Sequence, residues 1–211
     1  TPGTKSSFRL TTGSGKKIIV TTLTRQQALN TLQLEDGRLL ITEATVLPEK
    51  NKVTFLSIGK PSIEYIIYPS KKGWEPQIVS VDSISTHLEW SKIGNQRISV
   101  HPEFSYLSHI NDYFLNIHYT GDVGMAFINN DIVHDHFWYG EPWSIGLKRF
   151  RTELEKCGEI NFYFRPLNKK APFISMGGIP VSAFPKFDNQ TNVLSIDKVE
   201  LIPEYRIEVK W

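Results

Sequence analysis

Short runs of β-branched and aromatic residues, each closed by Gly, Pro or Asn, recur along the whole chain and leave little length for helix. In the first part they are FRLTT (8–12), KIIVTTL (17–23), RLLITEATVL (38–47), KVTFLSI (52–58), SIEYIIY (62–68) and QIVSV (77–81). Gly13-Ser14-Gly15 joins the first two as a hairpin, and Asp36-Gly37 and Pro48-Glu49-Lys50-Asn51 mark later turns. One helical signal interrupts them. Thr24 and Gln27 have the spacing of a capping box at the start of TRQQALNTLQL, and the nearby Asp36-Gly37 turn limits the helix to about two turns.

The second part continues the pattern with THLEW (86–90), QRISV (96–100), YFLNIHY (113–119), VGMAFI (123–128), DIVHDHF (131–137), WSIGLKRF (143–150), EINFYFR (159–165), VLSIDKVELI (193–202) and YRIEVK (205–210). Alternation in 113–119 predicts that Tyr113, Leu115, Ile117 and Tyr119 face a core while Phe114, Asn116 and His118 face away. Residues 152–157 suit one helical turn, and the Pro- and Gly-rich 166–192 suits a long surface loop. The expected fold is all-β, with a small β lobe at 1–85 and a jelly-roll β-sandwich at 86–211.

Composition narrows the function classes. The 211 residues carry 24 Lys and Arg against 22 Asp and Glu, a net charge of +2 with no long basic run, so a nucleic-acid partner is not expected. The single cysteine, Cys157, rules out an internal disulfide and has no nucleophile motif around it. No apolar run reaches the roughly 20 residues of a membrane span. The opening TPGTKSSF, with neither initiator Met nor signal peptide, suggests a segment of a longer protein.

Chemistry-bearing residues concentrate between Asn111 and Phe150. Asn129-Asn130-Asp131 suits a tight hairpin with positive φ. The run Thr120-Gly121-Asp122-Val123, the run Ala126-Phe127-Ile128-Asn129-Asn130-Asp131 and the segment Phe137-Trp138-Tyr139-Gly140-Glu141-Pro142-Trp143-Ser144-Ile145-Gly146-Leu147-Lys148-Arg149-Phe150 together resemble the β-sandwich region downstream of the catalytic barrel in bacterial family 35 glycoside hydrolases, the β-galactosidase-like proteins. TTLTRQQALN also looks like that region. The resemblance implies a galactose-binding-domain-like jelly roll, a periplasmic or extracellular location, and intramolecular contact with a catalytic barrel. The family's catalytic glutamates lie on that barrel, and nothing in this chain has the alternating strands and helices to form one.

Asp122, Asp131, Asp135 and Glu141 have no spacing that brings two carboxyls together, so no catalytic residue is assigned. His134 and His136 share one strand face, and a zinc ion would need a third ligand such as His118; hydrogen-bonded strand histidines are the simpler expectation, and no metal is assigned. Asp188-Asn189-Gln190 is a weak calcium candidate. Met176-Gly177-Gly178 lacks a following helix and is blocked by Pro180, so no phosphate cofactor, or any other, is expected. Carbohydrate is the sharper candidate ligand, through His136, Trp138, Tyr139, Glu141 and Trp143, with Trp138 expected on the rim and Trp74 and Trp90 as further ring platforms. Three functions remain open: a non-catalytic accessory domain, a fragment completing a glycosidase site on a missing barrel, and a protein-interaction module.

Overall fold

A computed structural model describes residues 6–70, 73–105, 107–175, 179 and 183–210. The chain divides into two compact units, Thr1–Ser83 with Tyr205–Trp211, and Ile84–Glu204.

The first unit opens with the expected hairpin, β1 (Ser6–Thr11) against β2 (Lys17–Thr22). The capping box forms as its spacing predicts: Gln27 N–H donates to Thr24 Oγ1 at 3.1 Å, and Thr24 N–H donates to Gln27 Oε1 at 3.0 Å. It starts α1 (Arg25–Leu29), which is a single short helix. Then come β3 (Thr31–Gln33), β4 (Leu39–Thr42), β5 (Thr45–Glu49), β6 (Lys52–Ile58), β7 (Ser62–Tyr68) and β8 (Gln77–Ser80). Strands β3-β4-β7-β8 form an antiparallel sheet, while β5 and β6 pair as a hairpin.

The run 38–47, expected as one strand, is therefore two strands in different sheets. Thr42 Oγ1 donates to the carbonyl of Glu64 at 2.9 Å and accepts from Ala44 N–H at 3.3 Å. That side chain bonds the backbone locally and turns the chain at Glu43-Ala44. Leu40, Val53, Phe55, Ile63 and Ile67 form the core of this unit.

The second unit holds β9 (His87–Lys92), β10 (Arg97–Glu103), β11 (Ile110–Thr120), β12 (Val123–Ile128), β13 (Asp131–Phe137), β14 (Trp143–Gly146), the helix α2 (Arg151–Cys157), β15 (Ile160–Arg165), β16 (Leu167–Asn168), the short helix α3 (Pro172–Ser175), β17 (Asn192–Val193) and the larger part of β18 (Ser195–Lys210). One antiparallel sheet runs β13-β12-β15-β10-β9, and a second contains β14-β11-β18. Their inward residues make one core. Tyr113, Leu115, Ile117, Tyr119 and Ile145 come from the second sheet; Ile98, Val100, Ala126, Phe162 and Phe164 come from the first. The alternation expected in 113–119 is the one observed: its odd positions are buried and its even ones are not.

The fold is thus all-β with sandwiched antiparallel sheets, and among the described residues the α-helices span only five, seven and four residues. None of these is long and apolar enough to cross a membrane. Of the run 193–202, Val193 belongs to β17, and the rest from Ser195 joins the run 205–210 in one strand, because Pro203 keeps an extended backbone. Its missing N–H falls where β18 passes from one unit to the other, Glu204 being the last residue of the second unit.

Asn129 and Asn130 have φ of 51° and 69°, the paired left-handed conformation of a two-residue turn between β12 and β13. A β-branched side chain there meets its own backbone at a cost of about 1–2 kcal/mol. Asn130→Val should lower the urea midpoint accordingly and Asn130→Gly should not. Equal midpoints for Val and wild type would show that this turn does not hold the register.

Candidate functional site

The stretch from Asn111 to Phe150 folds around Trp143. This residue opens β14, is 1% exposed, and points between the sheets. Phe162 meets it edge-on at 5.5 Å and 88°, and His136 stacks on it at 5.5 Å and 10°. Room for the indole comes from β12, where Gly124 and Ala126 oppose His136 and His134. A Cβ on Gly124 would lie 2.6 Å from Trp143 Cζ3. Tyr119 Oη sits 2.8 Å from His136 Nδ1 and donates to the His136 carbonyl at 3.2 Å. Burial holds the Tyr119 phenol protonated far above its usual range.

The five candidate ligand residues separate into two environments. Trp143 and Trp138 are core residues, the latter 5% exposed. Trp138 was expected on the rim; its N–H donates to the Asp122 carbonyl at 2.9 Å, which draws the segment after β13 inward. His136 is half-buried, 5.5 Å from the Tyr139 ring. Tyr139 and Glu141 are exposed, and with Phe137 at 69% and Ile132 at 59% exposure they make an accessible edge. Trp90 packs partly buried against the core, and Trp74 stacks on Tyr68 at 4.0 Å in the first unit.

His118 does not join His134 and His136. It lies on β11 in the opposite sheet, faces outward because Ile117 and Tyr119 face in, and meets Glu200 at 2.9 Å. His134 Nδ1 lies 2.8 Å from the Asp135 carbonyl, and its ring sits 5.7 Å from Trp143. Among the described residues no three His, Cys, Asp or Glu side chains come together as a metal-binding set. Asp188-Asn189-Gln190 forms a turn closed by Gln190 N–H on the Phe187 carbonyl at 2.7 Å. Met176-Gly177-Gly178 and Pro180 lie outside the described residues.

The acidic side chains of the stretch are dispersed. Asp122 accepts from Arg165 Nε at 2.7 Å, Asp131 and Asp135 are exposed on β13, and Glu141 is exposed in the loop. Asp112, which sequence reasoning passed over, is the most firmly positioned. Its Oδ1 accepts from the N–H of Tyr113 at 2.7 Å and of Lys148 at 2.6 Å. Lys148 Nζ donates to Asn111 Oδ1 at 2.9 Å, and Asn111 Nδ2 in turn donates to Glu204. Asp112 and Lys148 lie near opposite ends of the stretch and meet only because β11 and β14 pair with Phe114 opposite Gly146. The only sequence hint was an Asn-Asp pair just ahead of the alternating run 113–119. Compared with known proteins, the chain matches no protein-family model and no curated sequence.

Two outcomes follow from the Trp143 packing. Gly124→Ala should overpack the core and lower unfolding free energy by about 1–3 kcal/mol in chemical denaturation; a neutral result would mean the indole can shift freely. Burial, then the neighbouring His134, hold His136 below its usual pKa of 6.5, against a smaller opposing effect from Asp135. Below pH 6.5 the unfolded chain takes up a proton that the native imidazole resists, so His136 destabilises the fold increasingly as pH falls through 6.5 toward its native pKa, and has no effect well above it. Melting curves from pH 8 to pH 5 should therefore show a shallower acid-side decline for His136→Gln than for wild type. Parallel declines would exclude this origin.

Proposed function

We propose that the chain is a non-catalytic accessory segment of a family 35 glycoside-hydrolase-like protein, an exported β-galactosidase-like protein of bacterial type, and that its second unit is a galactose-binding-domain-like jelly roll. In that role it buttresses a catalytic barrel and contacts carbohydrate. The observation that carries the reading is that the run resembling the family, Thr120 to Phe150, supplies β12 and β13 of one sheet and β14 of the other, with its Trp143 a core residue between them. Its carboxylates are dispersed: Asp122 pairs with Arg165, and Asp131, Asp135 and Glu141 occupy exposed positions. A glycosidase needs two carboxyls facing one bond across about 5–10 Å. The accessible edge of Ile132, Phe137 and Tyr139 favours docking against a protein surface, since solvent-exposed aromatics are enriched at interfaces.

Two measurements test this reading. The purified chain should leave aryl β-galactosides unhydrolysed, and it should be retained on galactose-containing polysaccharide in affinity electrophoresis. Hydrolysis by the chain alone would refute the non-catalytic role. Upstream coding sequence specifying an alternating strand–helix barrel with two glutamates supports the parentage; upstream sequence of another class would remove it.

A further inference from the structure

We infer that a cavity beside Asp112 is a binding site for a neutral pyranose ring, distinct from the aromatic loop at 136–143. The inference rests on the carbohydrate reading above and assigns it a place. The cavity measures about 290 Å³ and lies wholly within the second unit. That is close to the lower end of small-ligand sites, which suits one ring rather than a long chain.

Its walls come from two segments tied together. Tyr113 Oη donates to the Ser105 carbonyl at 2.8 Å and accepts from Ser105 N–H at 3.0 Å, which pins Ser105 against the start of β11. Leu147 N–H donates to the Tyr113 carbonyl at 2.9 Å and brings in the segment after β14. Phe104, tilted 55° against Tyr113 at 5.4 Å, joins Leu147 and Ile110 in an apolar lining. Asp112, Lys148, Arg151, Ser105 and Ser108 supply the polar part.

The charges argue for a neutral, hydroxyl-rich ligand. Lys148 Nζ is held by Asn111, and Arg151 Nε pairs with Glu155 at 3.1 Å. The Asp112 carboxylate stands in the same cavity and would repel an anion. Its Oδ1 is fixed by two backbone N–H groups, while Oδ2 has no hydrogen-bond partner among the described residues. Oδ2 lies over Gly146, where a Cβ would come within 2.9 Å of it and 3.6 Å of the Phe114 ring. A preorientated carboxylate oxygen accepts from sugar hydroxyls, an ammonium held nearby donates to them, and the apolar lining takes the C–H face of the ring. A wholly apolar ligand would strand these charges, and a carboxylated one would face Asp112.

The test titrates the whole chain with D-galactose and, separately, D-galacturonate, following backbone amide signals by NMR. Saturable shifts are expected at Asn111–Tyr113 and Lys148 with galactose, and weaker binding with galacturonate. Asp112→Asn keeps an oxygen for both backbone donors and should weaken binding roughly tenfold or more. Lys148→Met keeps its backbone N–H and should weaken it in the same direction, which guards against a folding defect in the first variant. Glu89→Gln, on an exposed position of β9 outside the cavity lining, should leave binding unchanged. Absence of saturable shifts, wild-type affinity in both cavity variants, or tighter galacturonate binding overturns the inference. Galactose shifts at Tyr139 instead would overturn it while leaving the accessory reading intact, whereas turnover of aryl galactosides would refute that reading wherever the sugar binds.

Discussion

The second unit depends on one large ring, Trp143, placed where two sheets face each other. A buried Trp removed to Ala typically costs about 3–5 kcal/mol, against a total stability of about 5–15 kcal/mol for a domain of this kind. Such a ring sets conditions on its neighbours. The facing strand must be thin at that level, so β12 carries Gly124 and Ala126 on its inner side. The rings around it meet it edge-on or at a tilt, as Phe162 and Tyr119 do, with His136 stacking flat at the open side. These requirements link residues on both sheets, from Tyr119 and Gly124 to His136 and Phe162.

Polar contacts then close the ends of the strands that the ring aligns. Asp122 joins β12 to β15 through Arg165, and Asp122 also receives the Trp138 N–H. Asp112 performs the matching task between β11 and the segment after β14. Exposed ion pairs contribute little by themselves, with a median of about 0–1 kcal/mol. The Asp112 carboxylate contributes differently, by accepting from the backbone N–H groups of Tyr113 and Lys148, where an unpaired buried N–H would cost more than such a pair contributes.

Much of the fold was legible in the sequence because its signals are local. Alternation in 113–119 sorts β11 into faces, Asn129-Asn130 adopts the φ its turn demands, and Thr24 and Gln27 close their capping box. What was not legible is set by contacts between distant segments. The break after Thr42 depends on its bond to Glu64, and β18 continues extended through Pro203, a residue that locally reads as a stop. The candidate site shows the same division. At least one of the adjacent aromatics Trp138 and Tyr139 was expected to point outward, and the rim was assigned to Trp138; it is Tyr139 that reaches solvent. The inward turn of Trp138 needs Asp122, and the outward turn of His118 follows from a sheet assignment that no local pattern reveals. Asp112 and Lys148 are separated by most of the central stretch, so only strand pairing brings them together.

Strand β13 bears on function because it is an edge. Edge strands invite pairing with other chains, and proteins blunt them with bulges, charges and inward polar groups. Here the register slips between Ala126 and Phe127, which leaves Val133 unmatched. Asp131 and Asp135 put charge on the strand, and His134 and His136 point inward beside Trp143. The histidine pair thus contributes edge protection and ring packing. Those devices discourage backbone pairing along β13, yet Ile132, Phe137 and Tyr139 still stand out from the same edge. An edge closed to strand addition but rich in exposed apolar side chains is suited to contact through side chains. That is the kind of contact the proposed buttressing role calls for, and none of these three residues lines the Asp112 cavity proposed for sugar.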